Sequence, residues 1–198
     1  MKHIYTLLLV LVLQYSASAQ EHEATMYFLD GTEVAGFASL TFIKESFYGI
    51  PKDKISFRVT TDDEPDLWDS ETITKIVFHD FGTPKTFEFI PVIYTDGIQS
   101  SLFEVIATGE VNLYAEAIGV WDTKEDDIKA PETKHLRIKR KSEKEFAVLT
   151  NKKKIAAYFN QCPGVLEGLE DSTFSYKTLP DIVDYYNQQC GTAKVKNQ

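Results

Sequence analysis

The sequence predicts an α+β protein in which a mainly antiparallel β sandwich or open barrel is followed by a disulfide-linked helical hairpin. Up to residue 149, short runs rich in β-branched and aromatic residues alternate with turn sequences. From residue 151 the apolar residues take the spacing of a helix. The only two cysteines, Cys162 and Cys190, both lie in this last part.

The first 19 residues predict a cleavable secretory signal peptide. Lys2 gives a positive start, residues 4–13 form an apolar run, and Ala17-Ser18-Ala19 matches the pattern that a signal peptidase cleaves. A membrane-spanning helix needs about 20 apolar residues, so this run is too short to be one. We predict cleavage after Ala19, export to the periplasm or the extracellular space, and no transmembrane segment in the mature chain.

Residues 20–149 predict the β body. Asp30-Gly31 is a strong hairpin signal, and Pro91 indicates an edge or a break within its strand. We predict an exposed loop over residues 123–134, followed by a last hairpin that turns at Ser142-Glu143. The predicted strands of the body that precede the loop are residues 25–29, 32–42, 55–60, 73–78, 87–94, 102–107 and 111–118.

Residues 150–198 predict the helical segment. Asn151 is a candidate N-cap for a first helix, which Pro163-Gly164 would end. A second helix is expected near Thr178, where Thr178 and Asp181 have the spacing of a capping box. The apolar faces of the two helices are Ile155, Tyr158, Phe159 and Cys162 in the first, and Leu179, Ile182, Val183, Tyr186 and Cys190 in the second.

The two cysteines are predicted to form a disulfide. Thiols of an exported chain most often pair, because the compartment is oxidising. Two cysteines without a nearby histidine do not make a zinc site. Cys162 and Cys190 close a loop of 28 residues, which the chain-entropy model values at about 3–4 kcal/mol.

The last forty residues resemble the C-terminal segment of uncharacterised exported proteins of Bacteroidota-type bacteria. The residues that carry the likeness are Lys152 to Lys154, Tyr158-Phe159, Cys162-Pro163, and Tyr186-Asn187 with Cys190. Residues 109–117 (GEVNLYAEA) are similar to that group as well. The resemblance implies a β-rich body with a disulfide-tied helical end, and it carries no known activity.

The charge is distributed unevenly along the mature chain. Residues 20–133 hold 8 Lys and Arg against 23 Asp and Glu, a net charge of −15, whereas residues 134–198 hold 12 against 7, a net charge of +5. A largely acidic surface repels phosphates, which argues against a nucleic-acid partner. Arg137, Lys139 and Lys141 form a candidate patch for an anionic glycan or lipid of the envelope. The favoured interpretation is that this basic end faces the acidic body within the same molecule.

Residues 62–69 form a strongly acidic loop. Asp62, Asp63 and Asp66 are weak candidates for calcium ligands, because the spacing lacks the glycine and the bidentate glutamate of an EF-hand. A solvated acidic turn is the favoured interpretation. Trp68 is either a carbohydrate platform or a residue that packs under the loop, and packing is favoured.

No catalytic or cofactor motif is present, so we predict no catalytic, cofactor-binding or firm metal-binding residue. His79-Asp80 is a neighbouring histidine–carboxylate pair, but no nucleophile elbow or HExxH sequence accompanies it.

The favoured function is a non-catalytic binding or interaction protein of the cell envelope or the secreted fraction. One alternative is a small-ligand module with a pocket among the aromatic residues Phe42, Phe57, Phe87 and Tyr94. A carboxylate-based hydrolase is the less favoured alternative.

Overall fold

The computed structural model describes residues 21–43, 52–94, 97–117, 121–122, 127–128 and 136–191. The predicted signal peptide and most of the predicted loop over residues 123–134 lie outside this part of the chain. The strands are β1 (His22–Phe28), β2 (Glu33–Ile43), β3 (Lys52–Arg58), β4 (Asp66–Trp68), β5 (Ile73–Phe78), β6 (Lys85–Tyr94), β7 (Gly97–Ala107), β8 (Val111–Glu116), β9 (Trp121–Asp122), β10 (Asp127–Ile128) and β11 (Leu136–Arg140).

Nine of these strands form one antiparallel sheet in the order β11-β8-β7-β6-β5-β1-β2-β3-β4, and β9 pairs with β10 in a separate ribbon. The sheet curls, because β3 and β7 touch although four strands separate them in this order. At the contact, Leu102 N–H donates to Asp53 Oδ2 over 2.6 Å. Of the two predicted arrangements, the single curled sheet is nearer to the open barrel.

One face of the sheet, here called the inner face, carries the main hydrophobic core. Alternate residues of each strand point to it, as the period of a strand requires. The buried residues of the inner face include Ala24, Met26, Ala38, Leu40, Ile55, Phe57, Ile76, Phe78, Phe87, Leu102, Leu113 and Ile138. A small second cluster of Ile90, Phe103 and Tyr114 lies on the opposite, outer face, where Phe146 packs on it.

The predicted hairpin at Asp30-Gly31 is confirmed. β1 and β2 pair from His22 with Ala38 to Tyr27 with Glu33, and Gly31 has a φ of +86°. That backbone conformation suits glycine, which has no side chain to clash. Pro91 pairs only with Ser100 of β7, because β5 stops pairing with β6 at Glu88. Pro91 therefore sits on a free strand edge, as predicted.

Within residues 136–191 the structure has three α-helices after the sheet: α1 (Lys152–Tyr158), α2 (Pro163–Glu170) and α3 (Leu179–Gln189), with a 3-10 turn at Tyr176–Thr178 before α3. Asn151 caps α1 as predicted, and its side chain accepts a hydrogen bond from Lys154 N–H over 3.0 Å. α3 packs against β7 and β8 and buries the predicted residues Leu179, Ile182, Val183 and Tyr186. None of the helices in the described ranges is long and apolar enough to cross a membrane.

The disulfide between Cys162 and Cys190 is present. The predicted capping box at Thr178 and Asp181 is wrong. Thr178 makes no side-chain cap to α3, since its hydroxyl pairs with Ser175 in a box that caps the 3-10 turn. The structure also adds α2 between the two predicted helices, with Pro163 in its first turn, where a missing N–H costs nothing.

Two further elements differ from the predicted strands. The strand β4, which has only three residues, lies within the region that the sequence predicts to be an acidic turn. The second arm of the predicted last hairpin contributes a single bridge, Ala147 with Ile138, rather than a strand.

Candidate functional site

A cleft of about 520 Å³ opens on the inner face at the β1–β4 side of the sheet. Its apolar wall comes from inner-face residues of four strands: Met26, Phe28, Val34, Phe57 and Trp68. Its rim comes from the end of β3, the turn that follows and the start of β4: Arg58, Val59, Asp63, Glu64 and Asp66. This volume falls within the range of about 300–1,000 Å³ typical of small-molecule sites.

The strand pairing places these side chains together. Met26 lies opposite Val34 in the β1–β2 pair, and Phe57 lies opposite Asp66 in the β3–β4 pair. Trp68 is partly buried, and its ring meets the ring of Phe28 edge-on with centroids 5.3 Å apart. Trp68 thus packs against the core, as favoured, and also forms a wall of the cleft.

Trp68 has one unusual feature. Its indole Nε1 is buried and has no hydrogen-bond partner within the described residues. Buried polar groups are normally paired, and an unpaired one costs about 1–3 kcal/mol. The cleft wall therefore contains a donor that is not satisfied there.

Gly36 explains why β2 lies so close to the end of β3. A side-chain carbon at Gly36 would lie 2.2 Å from the carbonyl oxygen of Arg58 and 2.7 Å from the Phe57 ring. No side chain fits at those distances. Glycine at this position therefore lets β2 lie against the end of β3 and beside the Phe57 ring that lines the cleft.

Of the three predicted calcium candidates, Asp63 bonds to Thr60 within the loop. Asp63 Oδ2 accepts hydrogen bonds from Thr60 N–H and from the Thr60 hydroxyl, over 2.9 and 2.8 Å, which keep the pKa of Asp63 below its usual range. Asp62 is exposed, and Asp66 belongs to β4. In the described ranges, no group of three or more His, Cys, Asp or Glu side chains is placed to hold a metal ion.

The rim arginine is held by the protein. Arg58 Nε donates to Glu21 Oε2 over 2.7 Å, and its Nη1 donates to the carbonyl oxygens of Thr61 and Asp63 over 2.6 and 3.2 Å. These bonds shape the turn after β3. They also offset the Arg58 charge with that of Glu21.

The residues predicted for an aromatic pocket separate in the structure. Phe57 lines the cleft, whereas Phe87 is fully buried in the core. The side chains of Phe42 and Tyr94 lie outside the described part of the structure.

His79 and Asp80, the neighbouring histidine and carboxylate of the sequence, contact different residues of β1. Asp80 Oδ2 lies 2.8 Å from Nδ1 of His22, which is buried against Phe78 and Phe81. His79 Nε2 instead lies 2.9 Å from the Thr25 hydroxyl. The neighbours in sequence thus serve two different contacts between β1 and the end of β5.

The predicted anionic-partner patch lies on the outer face. Arg137 forms an ion pair with Glu116, and the Lys139 ammonium lies 5.0 Å from the centroid of the Phe146 ring. Lys141 is exposed. A shallow pocket of about 250 Å³ beside Arg137 and Phe146 also contains Ile93. The patch stays a prediction, with part of its charge already offset by Glu116.

Arg140, on the same strand, belongs to the interior. Its guanidinium lies between the rings of Tyr158 and Tyr186, at 4.8 and 5.1 Å from their centroids. It donates to the Tyr186 hydroxyl over 2.6 Å and to the Tyr158 carbonyl over 2.7 Å. The Tyr158 hydroxyl donates to Glu143, and burial together with that carboxylate raises the pKa of Tyr158.

Two carboxyl groups lie at the contact between β3 and β7. Burial raises the pKa of Asp53 to about 6, against the lowering effect of its hydrogen bond from Leu102. Glu104 is almost fully buried, and its Oε1 lies 2.7 Å from the Lys85 ammonium. Burial also raises the pKa of Glu104, whose Oε2 has no hydrogen-bond partner among the described residues.

The cleft escaped the sequence analysis because its residues come from distant strands. One local signal was available. Met26 and Phe28 precede the Asp30-Gly31 turn with the alternation of an inward face, and Val34 follows it. The register of that hairpin would have placed these three apolar side chains together.

The chain matches no protein-family model, and comparisons with curated proteins and with solved structures return no match.

Proposed function

We propose that this chain is an exported, non-catalytic binding protein that holds a small, largely apolar molecule in the cleft between β1 and β4. The observation that carries the proposal is the aromatic wall of Phe28, Phe57 and Trp68 around an open volume of about 520 Å³. Ligand sites are typically concave, mostly apolar and equipped with a few polar groups. The apolar wall and charged rim of this cleft match that description.

The physical cost of the cleft supports the same conclusion. Apolar surface left open to water forgoes about 25 cal/mol for each Å² that could have been buried. The neighbouring inner face is filled, with Ile55 and Ile76 fully buried beside the cleft. A sheet that packs so completely elsewhere leaves this volume open at a cost that a bound ligand would offset.

Export is supported by two features. Residues 1–19 have the pattern of a signal peptide, and the disulfide of Cys162 with Cys190 persists most readily in an oxidising compartment. When the full-length chain is expressed in a bacterium with a periplasm, we expect the intact mass of the recovered protein to correspond to a start at Gln20. Recovery of the full-length chain from the cytoplasm would contradict export.

Binding is tested with N-phenyl-1-naphthylamine, a neutral apolar dye that fluoresces when it leaves water. The oxidised chain beginning at Gln20 should enhance the fluorescence saturably. Val34→Phe, which fills the cleft from β2, should weaken dye binding at least about tenfold, because a ring occupies the volume that the dye needs. Ala35→Phe is the matched control, since Ala35 is exposed and points to the other face.

Urea unfolding curves of both variants verify that each is folded. If Val34→Phe proves unfolded, Phe28→Trp adds volume from the neighbouring strand and takes its place. The proposal fails if the dye does not bind saturably, or if folded cleft-filling variants bind it as tightly as the unmodified chain does.

A further inference from the structure

The rim of the cleft carries an excess of negative charge. Three carboxylates, Asp63, Glu64 and Asp66, stand beside one guanidinium, that of Arg58. The net charge of the rim determines which ligands can bind against the apolar wall. That net charge depends on which of these side chains are already paired within the protein.

Arg58 is compensated. Its guanidinium forms an ion pair with Glu21, and the side chains of both residues are largely buried, with exposed fractions of 21% and 14%. Its Nη1 is committed to the Thr61 and Asp63 carbonyls. An anionic ligand would therefore have to displace existing bonds to use this arginine.

The carboxylates are only partly compensated. Hydrogen bonds from Thr60 hold the pKa of Asp63 below its usual range, and the nearby Arg58 charge adds a smaller lowering. Glu64 and Asp66 are exposed, and neither forms an ion pair with any residue of the described part of the chain. With Arg58 offset by Glu21, the rim has a net charge of about three negative units.

The aromatic wall adds to the same preference. The faces of aromatic rings carry negative potential, and Trp is the best partner for a cation. Phe28, Phe57 and Trp68 line the cleft immediately below the carboxylates. The net charge of −15 over residues 20–133 extends this negative potential beyond the cleft.

We propose that the ligand of this cleft is a small organic cation, an amine or quaternary ammonium carried on an apolar or aromatic body. The apolar body lies against Met26, Val34 and the aromatic wall, and the cationic group lies at the rim beside Glu64 and Asp66. This inference rests on the proposed binding function and deepens it by naming the ligand class.

The test is displacement of N-phenyl-1-naphthylamine by three compounds of matched shape. Benzyltrimethylammonium carries the cation, neopentylbenzene is its neutral carbon isostere, and phenylmethanesulfonate carries a negative charge. At low ionic strength we expect the cation to displace the dye at about tenfold lower concentration than the neutral isostere. The anion should be weaker than both, and added salt should reduce the difference.

The double variant Glu64→Gln with Asp66→Asn should remove most of this preference, measured as the ratio of the concentrations at which the cation and its neutral isostere displace the dye from that same variant. The matched control is Asp62→Asn with Glu71→Gln, which removes the same charge from exposed residues that do not line the cleft. That control should keep most of the preference for the cation.

The outcomes separate the two proposals. If the dye binds and the cation and its neutral isostere displace it equally, the binding function stands and the cationic ligand class is wrong. Stronger displacement by the anion would overturn the ligand class in the same way. If the dye does not bind saturably, the binding function itself fails.

Discussion

The inner face of the curled sheet has two ends that are built from similar residues and finished differently. At the β7–β8–β11 end, α3 packs on β7 and β8, α2 packs against α3 and α1 against α2, and Phe159, Ile155 and Ile182 are completely buried. At the β1–β4 end, the described chain places no helix over the sheet, and Phe28 and Trp68 stay partly exposed around a cleft. The apolar pattern of the strands is the same, so the covering elements account for the difference.

Each end also contains a largely buried arginine, and the two arginines make different contacts. Arg140 lies beneath the helices, between two tyrosine rings, and connects β11 to α1 and α3. Arg58 at the open end binds Glu21 and the turn after β3. Arg140 therefore connects the sheet to the helices and contributes to packing at the covered end, whereas Arg58 holds the turn that helps to form the rim of the cleft at the open end.

The disulfide gives the largest expected effect and concerns the covered end. Cys162→Ala and Cys190→Ala should each lower the free energy of unfolding by about 3–4 kcal/mol, because the unfolded chain regains the entropy of a 28-residue loop. Urea unfolding measures the loss. The two variants should agree, and dye binding in the cleft should persist under conditions where each variant remains folded. Clearly unequal losses would contradict a shared role for the two cysteines.

The arginines of β11 provide a test on a single strand. Arg140→Met should destabilise by about 2–3 kcal/mol, since it leaves the Tyr186 hydroxyl and the Tyr158 carbonyl without their donor. Arg137→Met, three residues earlier on the outer face, loses the ion pair with Glu116 and the hydrogen bond to the Leu136 carbonyl, and should cost less than Arg140→Met, about 1 kcal/mol. Equal losses in urea unfolding would mean that Arg140 does not connect the helices to the sheet.

Asp53 links the open end to the rest of the sheet and makes its stability pH-dependent. Its pKa of about 6 in the folded state lies above the unfolded value of about 3.9. The folded state therefore binds more protons between pH 4 and pH 6, and the contribution of Asp53 to stability is lost as the pH rises through this window. The shift corresponds to roughly 2–3 kcal/mol.

Asp53→Asn should remove this contribution, because the amide oxygen can still accept from Leu102 N–H without carrying a charge. The unmodified chain loses the contribution of Asp53 as the pH rises, and the variant does not. The difference in free energy of unfolding, variant minus unmodified chain, should therefore increase from pH 4 to pH 7 in urea unfolding. Glu104, whose pKa is also raised, is present in both proteins, so its effect on the pH dependence cancels in the difference. Parallel pH profiles of the two proteins would show that Asp53 is not a source of the dependence.

The smallest expected effects come from replacing phenylalanine by leucine at each end of the inner face. Phe159→Leu should cost about 1–2 kcal/mol, because the ring is fully buried between Tyr158 and Tyr186 and its removal leaves a void. Phe28→Leu should cost less than about 1 kcal/mol, because the cleft already exposes part of that ring to water. A larger loss at Phe28 would mean that the open end is packed as tightly as the covered one.

Local patterns in the sequence were sufficient for the features that depend on neighbouring residues. Asp30-Gly31 predicted the first hairpin, Asn151 predicted the start of α1, and the apolar spacing from Leu179 to Tyr186 predicted the buried side of α3. Each depends on turn chemistry or on a helical period that a short stretch of sequence carries by itself. The predicted Thr178 cap is wrong because two residues that can compete for the Thr178 hydroxyl, Ser175 and Asp181, lie within the same seven residues.

Long-range contacts were beyond those patterns. Asn187, whose partners the sequence did not reveal, bonds both the N–H and the carbonyl of Val111 across 76 residues, and His22 meets Asp80 across 58. Alternation along β11 places Arg140 on the same face as Leu136 and Ile138, but the strand sequence does not show that Tyr158 and Tyr186 of the helices contact it. The alternation of a strand assigns each side chain to a face, but it does not specify which element covers that face.

The sequence by itself determined that this chain has a β body, a helical end and two cysteines placed to be joined. Only the tertiary structure decided that β3 meets β7, that the helices cover one end of the inner face, and that Phe28, Phe57 and Trp68 surround a cleft at the other. The physical reason is that secondary structure depends on neighbours in the chain. A binding surface depends on the order in which strands assemble, and on what that order leaves uncovered.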